Sequence, residues 1–118
     1  MKFLHRLEPL FWLLFGSGGF AAAFVLPPLV FGLLIAGPMG WFPADAFEYH
    51  RMHGLAANPV GRIVILGVVT LVLWHSAHHL RHFLLDVGLA RLHTPLAYLL
   101  YGLAGVASAA CLGAVSSL

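Results

Sequence analysis

The sequence predicts an all-α membrane protein, with three transmembrane helices and a short interfacial helix between the first two. Of its 118 residues, 61% are hydrophobic and only 8% are charged, whereas a soluble domain carries about 25% charged residues. Three apolar runs, each near the roughly 20 residues that cross a bilayer, are separated by segments rich in proline, glycine and charge. Since these runs use nearly the whole chain, we expect one membrane domain, residues 1–118, without a separate soluble catalytic domain.

The first predicted span covers about residues 10–36. Pro9 suits the first turn of a helix, where its missing N–H is not needed. Trp12 lies one turn further along, at a depth where indole rings favour the membrane interface. Pro27-Pro28 is expected to kink this helix or to end it early.

Small residues recur four positions apart in two of the spans. Gly18 and Gly19 are each followed by alanine four residues later. In the last span, Gly105, Ala109 and Gly113 form a longer row of the same kind. Because small side chains let helices approach closely, each row is predicted to pack against another helix.

The first connection, residues 37–59, predicts a short helix on the membrane surface. Asp45 and Glu48 have the spacing of a capping box, which places this helix at about residues 46–55. Asn58-Pro59 is a helix-breaking pair and ends the connection.

The second predicted span covers about residues 60–82 and the third about residues 95–115. Between them lies a tight connection, residues 88–94. In a three-span chain, the N-terminus and this second connection share one side of the membrane. Lysine and arginine in short connections favour the cytoplasmic side. We therefore predict a cytoplasmic N-terminus, from Lys2, Arg6, Arg81 and Arg91 on its side against Arg51 and Arg62 on the other.

A histidine stripe ends the second span. His75, His78, His79 and His82 are four of the eight histidines, and on a helix their spacing places them on one face. The predicted topology puts this stripe at the same membrane face as Glu8 and Trp12. Ionisable residues at such depth are costly and usually mark a pathway, a partner or a bound group.

Three kinds of chemistry could use the stripe, namely a haem, a metal pair or a quinone headgroup. A b-type haem with two axial histidines normally takes them from facing helices, and the other two spans have no interior histidine. A metal pair such as His75/His79 or His78/His82 has no carboxylate or cysteine beside it. Helix anchoring or docking of a subunit is the plainest interpretation, although anchoring alone would use lysine or arginine.

A quinone headgroup site also fits the residue types, as anchoring or docking does. A quinone has two carbonyl oxygens that need donors, and its two-electron chemistry takes up or releases two protons. Histidine titrates near neutral pH and both donates and accepts. Arg81 would be a permanent donor, and the indole of Trp12 offers a flat wall and one N–H.

Four sequence blocks, in order along nearly the whole chain, carry a family resemblance. Together they resemble the smaller hydrophobic anchor, the D subunit, of the four-subunit bacterial fumarate reductase. The blocks are residues 8–19; residues 42–49 with Gly61-Arg62; Leu73-Trp74 with His78, His82 and Asp86; and Pro95 with residues 101–104.

The resemblance implies a non-catalytic subunit of an oxidoreductase that works in anaerobic respiration. In that family a flavoprotein subunit (A), which carries FAD, reduces fumarate to succinate. An iron–sulfur subunit (B) supplies the electrons from its clusters. The two anchors (C and D) hold both to the cytoplasmic face of the inner membrane and share a menaquinol oxidation site, without haem in the better-known members.

Site residues carry over one position at a time. Trp12 matches the family tryptophan at the quinone site nearest the iron–sulfur subunit, and His78 matches a family histidine. The family pattern then reads His-Arg-x-His-His, whereas this chain has an arginine only at Arg81, about 200° around the helix from the family position. The resemblance therefore implies a quinone site with Trp12, His78, His79, Arg81 and His82.

His75 lies deeper in the span and outside the family pattern, so we expect it to pack against a neighbouring helix. Two alternatives of other classes stay open. One is a haem-binding anchor of a succinate dehydrogenase, and the other is a purely structural membrane subunit whose histidines dock a soluble partner.

Overall fold

Four α-helices form the chain, and no strand is found among the described residues, so the all-α prediction is confirmed. The computed structural model describes residues 2–118, except the side chains of residues 2–5, 7, 8 and 11. The side chains of Lys2 and Glu8 therefore lie outside the described part. The predicted membrane orientation uses Lys2, and the first block of the family resemblance begins at Glu8. The helices are α1 (Lys2–Phe31), α2 (Tyr49–Ala57), α3 (Pro59–Leu84) and α4 (His93–Ser116).

Within the part of the chain that the structure describes, two helical segments are long and apolar enough to cross a membrane, namely Trp12–Ala36 and Pro59–Ser116. The second includes α3, α4 and the π-helical and 3₁₀ turns, Leu85–Leu89 and Ala90–Leu92, that join them. Within these turns Gly88 has a φ of 109°, a conformation that glycine adopts without steric cost. The chain reverses here, and α4 packs back along α3.

α3 is the central helix and packs against both α1 and α4. Each pair is antiparallel. Towards the end of α3, His78 meets Phe15 of α1, whereas the earlier Leu71 faces Gly18, further along α1. Few side chains are fully buried in the described part, and most large apolar side chains point outwards. An outer surface of this kind suits lipid rather than water as the surroundings.

The predicted close approach at Gly18 and Gly19 is confirmed. A Cβ at Gly18 would overlap the carbonyl oxygen of Leu71 and the Cβ of His75. A Cβ at Gly19 would lie 2.7 Å from Cε1 of His75. The absence of both side chains lets the backbone of α1 approach α3 and leaves room for the imidazole of His75.

The row of small residues on α4 does not pack against a helix of this chain, so that prediction is wrong within the chain. A Cβ at Gly105 or Gly113 would meet no atom within 4 Å, and Ala109 is exposed. α4 instead faces α3 through Ala104, which is 4% exposed, and Ser108. Spacing alone identified the small residues but not the face of α4 that α3 covers.

Prolines interrupt α1 less than predicted. The helix begins at Lys2, well before Pro9, and continues past Pro27-Pro28 to Phe31. Of the two effects predicted for these prolines, a kink or an early end, the early end is therefore wrong and the kink stays a prediction. A proline removes one backbone hydrogen bond, and helices in membranes tolerate this loss. The helix widens into a π turn, Gly32–Ala36, closed by the amide of Gly37 donating to the carbonyl of Gly32 at 2.8 Å.

The short helix predicted within the first connection exists, but the predicted capping box does not form. α2 begins three residues later than predicted, and Glu48 at its N-cap makes no side-chain capping bond. The carboxylate of Asp45 instead lies 3.3 Å from the guanidinium of Arg51. The carboxylate that the capping-box pattern would have used thus forms an ion pair with Arg51 instead.

Asn58 forms the predicted break between α2 and α3 and caps both helices. Its side-chain oxygen accepts from the amide of Gly61 at 2.9 Å, and its side-chain nitrogen donates to the carbonyl of Leu55 at 2.7 Å. Pro59 follows as the first residue of α3, where proline is favoured.

Asn58→Ala is expected to loosen the first turn of α3, because the amide of Gly61 loses its acceptor. The loss of such a cap costs about 1 kcal/mol, so amide exchange in residues 60–62 should become roughly fivefold faster. Hydrogen–deuterium exchange with mass spectrometry measures this. Asn58→Asp keeps the acceptor and serves as the control; equal exchange in both variants would contradict a capping role.

Candidate functional site

A groove of about 560 Å³ lies between α1 and α3, towards the start of α1 and the end of α3. α1 contributes residues at helical spacing, three and four apart, and α3 contributes the histidine stripe. The groove is open on one side, where Trp12 is 76% exposed. It is lined by Trp12, Phe15, Gly16, His75, His78, His79 and His82.

The four imidazoles of the stripe form two close pairs. The ring centroids of His75 and His79 lie 4.3 Å apart, and those of His78 and His82 lie 4.4 Å apart. Each pair is one helical turn apart, which explains the proximity. No set of three or more His, Cys, Asp or Glu side chains in the described part converges on a possible metal position.

His78 is held from both neighbouring helices. Its ring stacks on that of Phe15 in α1, with centroids 4.0 Å apart and planes 17° apart. On the other side its Nδ1 lies 3.0 Å from the hydroxyl of Tyr101 in α4. The ring orientation is thus fixed by one aromatic contact and one hydrogen bond.

His75 is held by the backbone of α1. Its Nδ1 lies 2.6 Å from the carbonyl oxygen of Phe15, and its ring lies over Gly19. The carbonyl of Phe15 lies within reach of His75 because Gly18 and Gly19 have no side chains that would hold α1 and α3 apart. Close helix packing therefore places this imidazole.

Tyr101 is supported by a second aromatic contact between α3 and α4. Its ring stacks with that of Trp74 at a centroid distance of 6.0 Å and an interplanar angle of 14°. The indole N–H of Trp74 donates to Ser108 at 3.2 Å, and the hydroxyl of Ser108 donates to the carbonyl of Ala104 at 2.7 Å. These polar contacts hold the indole on which the ring of Tyr101 stacks.

Arg81 lies at the contact of α3 with α4 and does not line the groove. Its residue is 8% exposed, its Nη2 donates to Nε2 of His93, and its guanidinium lies 5.9 Å from the ring centroid of Tyr101. Its Nε is buried without a hydrogen-bond partner. Among the described residues no carboxylate pairs with it.

Comparison with known proteins decides the family. The family described as the D subunit of fumarate reductase matches residues 3–116 of this chain. The chain belongs to this fumarate reductase family. The resemblance seen in the sequence blocks is thereby confirmed.

Relatives in distant bacteria agree. The chain is 39% identical to the fumarate reductase D subunit of Mycobacterium tuberculosis and to that of Mycobacterium bovis over 104 residues, which is 86% of this chain and 81% of each relative. It is 36% identical to the fumarate reductase D subunit of Vibrio cholerae over 104 residues, which is 86% of this chain and 78% of that relative.

The groove of this fumarate reductase subunit brings together most of the residues that the sequence indicated. Trp12, His78, His79 and His82 all line it, whereas Arg81 is placed elsewhere. On α3, Arg81 falls seven residues after Trp74, so both face α4 rather than α1. Arg81 therefore lies at the contact of α3 with α4, apart from the four predicted residues that line the groove.

Three lining residues, Phe15, Gly16 and His75, were missed as site residues. His75 was expected only to pack against another helix, yet it both bonds Phe15 and lines the groove. Phe15 gave a weak signal in its spacing, three residues after Trp12 on the same face of α1. For His75 the signal was its membership of the stripe, which the family pattern had discounted.

Proposed function

We propose that this chain is the membrane anchor subunit of a quinol:fumarate reductase and that the groove contributes to its menaquinol oxidation site. Family membership supports the role in a fumarate reductase complex. The convergence of Trp12 with the histidine stripe on one groove is the observation that carries the quinol role.

The anchor would cross the inner membrane three times, with its N-terminus in the cytoplasm. α1, α3 and α4 have 30, 26 and 24 residues, each more than the roughly 20 that a bilayer requires. The partners would be a flavoprotein subunit with FAD, an iron–sulfur subunit and a second anchor subunit. Fumarate chemistry would take place on the flavoprotein, so this chain would be non-catalytic.

The groove suits a quinone headgroup in size and in lining. Its volume of about 560 Å³ lies within the usual range for small-molecule sites, about 300–1,000 Å³. The rings of Trp12 and Phe15 provide flat apolar walls. Imidazole nitrogens provide donors and acceptors for two oxygens, and the open side leaves an exit for an apolar tail.

Within this site each residue has a separate task. When bound, menaquinol supplies two electrons and two protons. His78, fixed by Phe15 and Tyr101, would orient a ligand oxygen, while His79 and His82 would extend the polar wall towards the aqueous face. Arg81 would act at a distance, through the ring of Tyr101 that it contacts, rather than by touching the ligand.

Replacing Trp12 or His78 is the experiment that tests the proposal. Trp12→Leu and His78→Leu are each expected to lower quinol-linked fumarate reduction about 10- to 100-fold, because a wall or an oriented polar group worth about 1.4–2.8 kcal/mol is lost. Fumarate reduction with a soluble dye as electron donor should stay unchanged in both variants, since it bypasses the membrane site.

Trp41→Leu and His50→Leu are matched controls, because both residues lie after the far end of α1, away from the groove. Native quinol-linked rates in both groove variants, with intact assembly, would contradict the quinol assignment. Detachment from the membrane with a normal dye-linked rate would instead indicate a purely anchoring role. A reduced b-type α band in the optical spectrum of the complex would contradict a haemless anchor.

A further inference from the structure

Two imidazoles in the groove already use Nδ1, and the partner of each nitrogen decides where the ring carries its proton. For His75 the partner is the carbonyl oxygen of Phe15, 2.6 Å away. A carbonyl oxygen only accepts hydrogen bonds, so Nδ1 must donate. In the neutral ring, Nε2 of His75 then carries no proton and presents a lone pair.

His78 has the opposite kind of partner. Its Nδ1 faces the hydroxyl of Tyr101 at 3.0 Å, and a hydroxyl can donate or accept. If Nδ1 donated, the hydroxyl proton of Tyr101 would need another acceptor, and the described contacts of Tyr101 provide none. Leaving a half-buried donor unpaired is costly, so Tyr101 donates and the neutral ring of His78 carries its proton on Nε2.

We propose that His75 and His78 are held in opposite tautomers, so that the groove offers one acceptor nitrogen and one donor nitrogen to the same ligand. His75, which the family pattern does not include, is then the proton acceptor for a phenolic hydroxyl. Tyr101 is a positioning residue that acts through His78. This inference rests on the proposed quinol site and specifies how that site is polarised.

The arrangement matches a hydroquinone better than it matches other flat ligands. The oxygens of a hydroquinone both donate and accept, so a bound hydroquinone would pair an O–H with the lone pair of His75 Nε2 and an oxygen with the N–H of His78 Nε2. In proton transfer the O–H bond breaks, its electron pair stays on oxygen, and the proton forms the new N–H bond at Nε2. This is an acid–base step, in which one proton moves to Nε2 of His75 and no electron is transferred.

The acceptor ring keeps its orientation throughout this transfer. Nδ1 of His75 donates to the Phe15 carbonyl whether or not Nε2 is protonated, so no second rearrangement is needed. The backbone acceptor is fixed within α1, and the ring has little room to turn because it lies over Gly19. Such fixed positioning favours general base catalysis.

Nitrogen NMR of the intact complex with ¹⁵N-labelled histidine tests the tautomers directly. At mildly alkaline pH, His75 should show a protonated Nδ1 and His78 a protonated Nε2, with signals assigned from His75→Asn and His78→Asn. Tyr101→Phe should mix the tautomers of His78 alone. Tyr98→Phe, the same change at a side chain that is 80% exposed one turn earlier on α4, should alter neither ring.

Quinol-linked rates test the roles of the two nitrogens. Asparagine at position 75 keeps an N–H near Nδ1 but has no nitrogen at Nε2, so His75→Asn should lower the rate about 100-fold, as for a lost general base. Glutamine at position 78 supplies an N–H near Nε2, so His78→Gln should stay within about tenfold of the native rate. Dye-linked rates should be unchanged in both.

Identical tautomers in the two rings, or an unchanged His78 in Tyr101→Phe, would overturn the inference. If the Trp12 and His78 leucine variants still lost quinol-linked activity, the proposed function would stand without it. Opposite tautomers combined with a native quinol-linked rate in His75→Asn would overturn the acceptor role. If Trp12→Leu and His78→Leu also kept native quinol-linked rates, the proposed quinol site itself would be contradicted.

Discussion

Adding a single methyl group at Gly18 is expected to prevent this subunit from assembling into its complex. The new Cβ would overlap the carbonyl oxygen of Leu71 and the Cβ of His75. A backbone carbonyl inside a helix cannot move aside, so α1 and α3 must separate. Overpacking of this kind costs about 1–3 kcal/mol, and separation also breaks the hydrogen bond between His75 and Phe15, worth about 1 kcal/mol.

Gly16→Ala is the matched control for Gly18→Ala, because it adds the same methyl group one half-turn away, where no atom lies within 4 Å. It should assemble normally, and alanine in a helix is favoured over glycine by about 1 kcal/mol. The measurement is the amount of dye-linked fumarate reductase retained on membranes. Equal retention in the two variants would contradict the close contact at Gly18.

Gly16→Phe is expected to abolish quinol-linked activity while leaving assembly intact. Gly16 lines the groove and its Cβ position is unobstructed, so a phenyl ring can enter the groove without disturbing the helix contact. It would occupy the space between Trp12 and the histidine stripe. The quinol-linked rate should fall at least about 100-fold, equivalent to about 2.8 kcal/mol of lost binding free energy.

The ratio of quinol-linked to dye-linked fumarate reduction measures this block. Gly67→Phe is the matched control, since Gly67 is an exposed glycine of α3 with no atom within 4 Å of its Cβ position and does not line the groove. A native ratio in Gly16→Phe would place the quinol site outside the groove. A reduced ratio in Gly67→Phe would show that the effect is not local.

Helix locations could be predicted well from the sequence because long apolar runs must satisfy their own backbone hydrogen bonds. α3 runs from Pro59 to Leu84, close to the predicted residues 60–82. The break before it falls at Asn58, as predicted. The start of α1 was placed too late because Pro9 was treated as a boundary. A proline only removes one bond, and nothing in the local sequence says whether the preceding turn forms.

The face that each helix presents could be predicted only in part. The histidine stripe was correctly grouped with Trp12. The stripe and Trp12 lie at the same end of the antiparallel pair of helices α1 and α3. A second set of residues on α3, including Trp74 and Arg81, faces α4. His78 contacts both α1 and α4. The position of Arg81 in this second set could not be predicted, because it depends on where α4 packs around α3.

The chemistry of the site depends on contacts between helices that the spacing of residues in the sequence does not reveal. The tautomer of His75 depends on a backbone carbonyl sixty residues away in sequence, and that contact depends on Gly18 and Gly19. The sequence did mark those glycines as points of close approach. It could not name their partner, just as it could not show that the small-residue row on α4 faces away from α3.

Photolabelling tests most directly whether the groove binds the quinol. A photoreactive menaquinone analogue is irradiated with the intact complex, and labelled peptides are identified by mass spectrometry. We predict labels on residues 12–16 of α1 and residues 75–82 of α3, displaced by excess menaquinone and absent in Gly16→Phe. Labels confined to residues 37–48, which precede α2, or to partner subunits would contradict a quinol site in the groove.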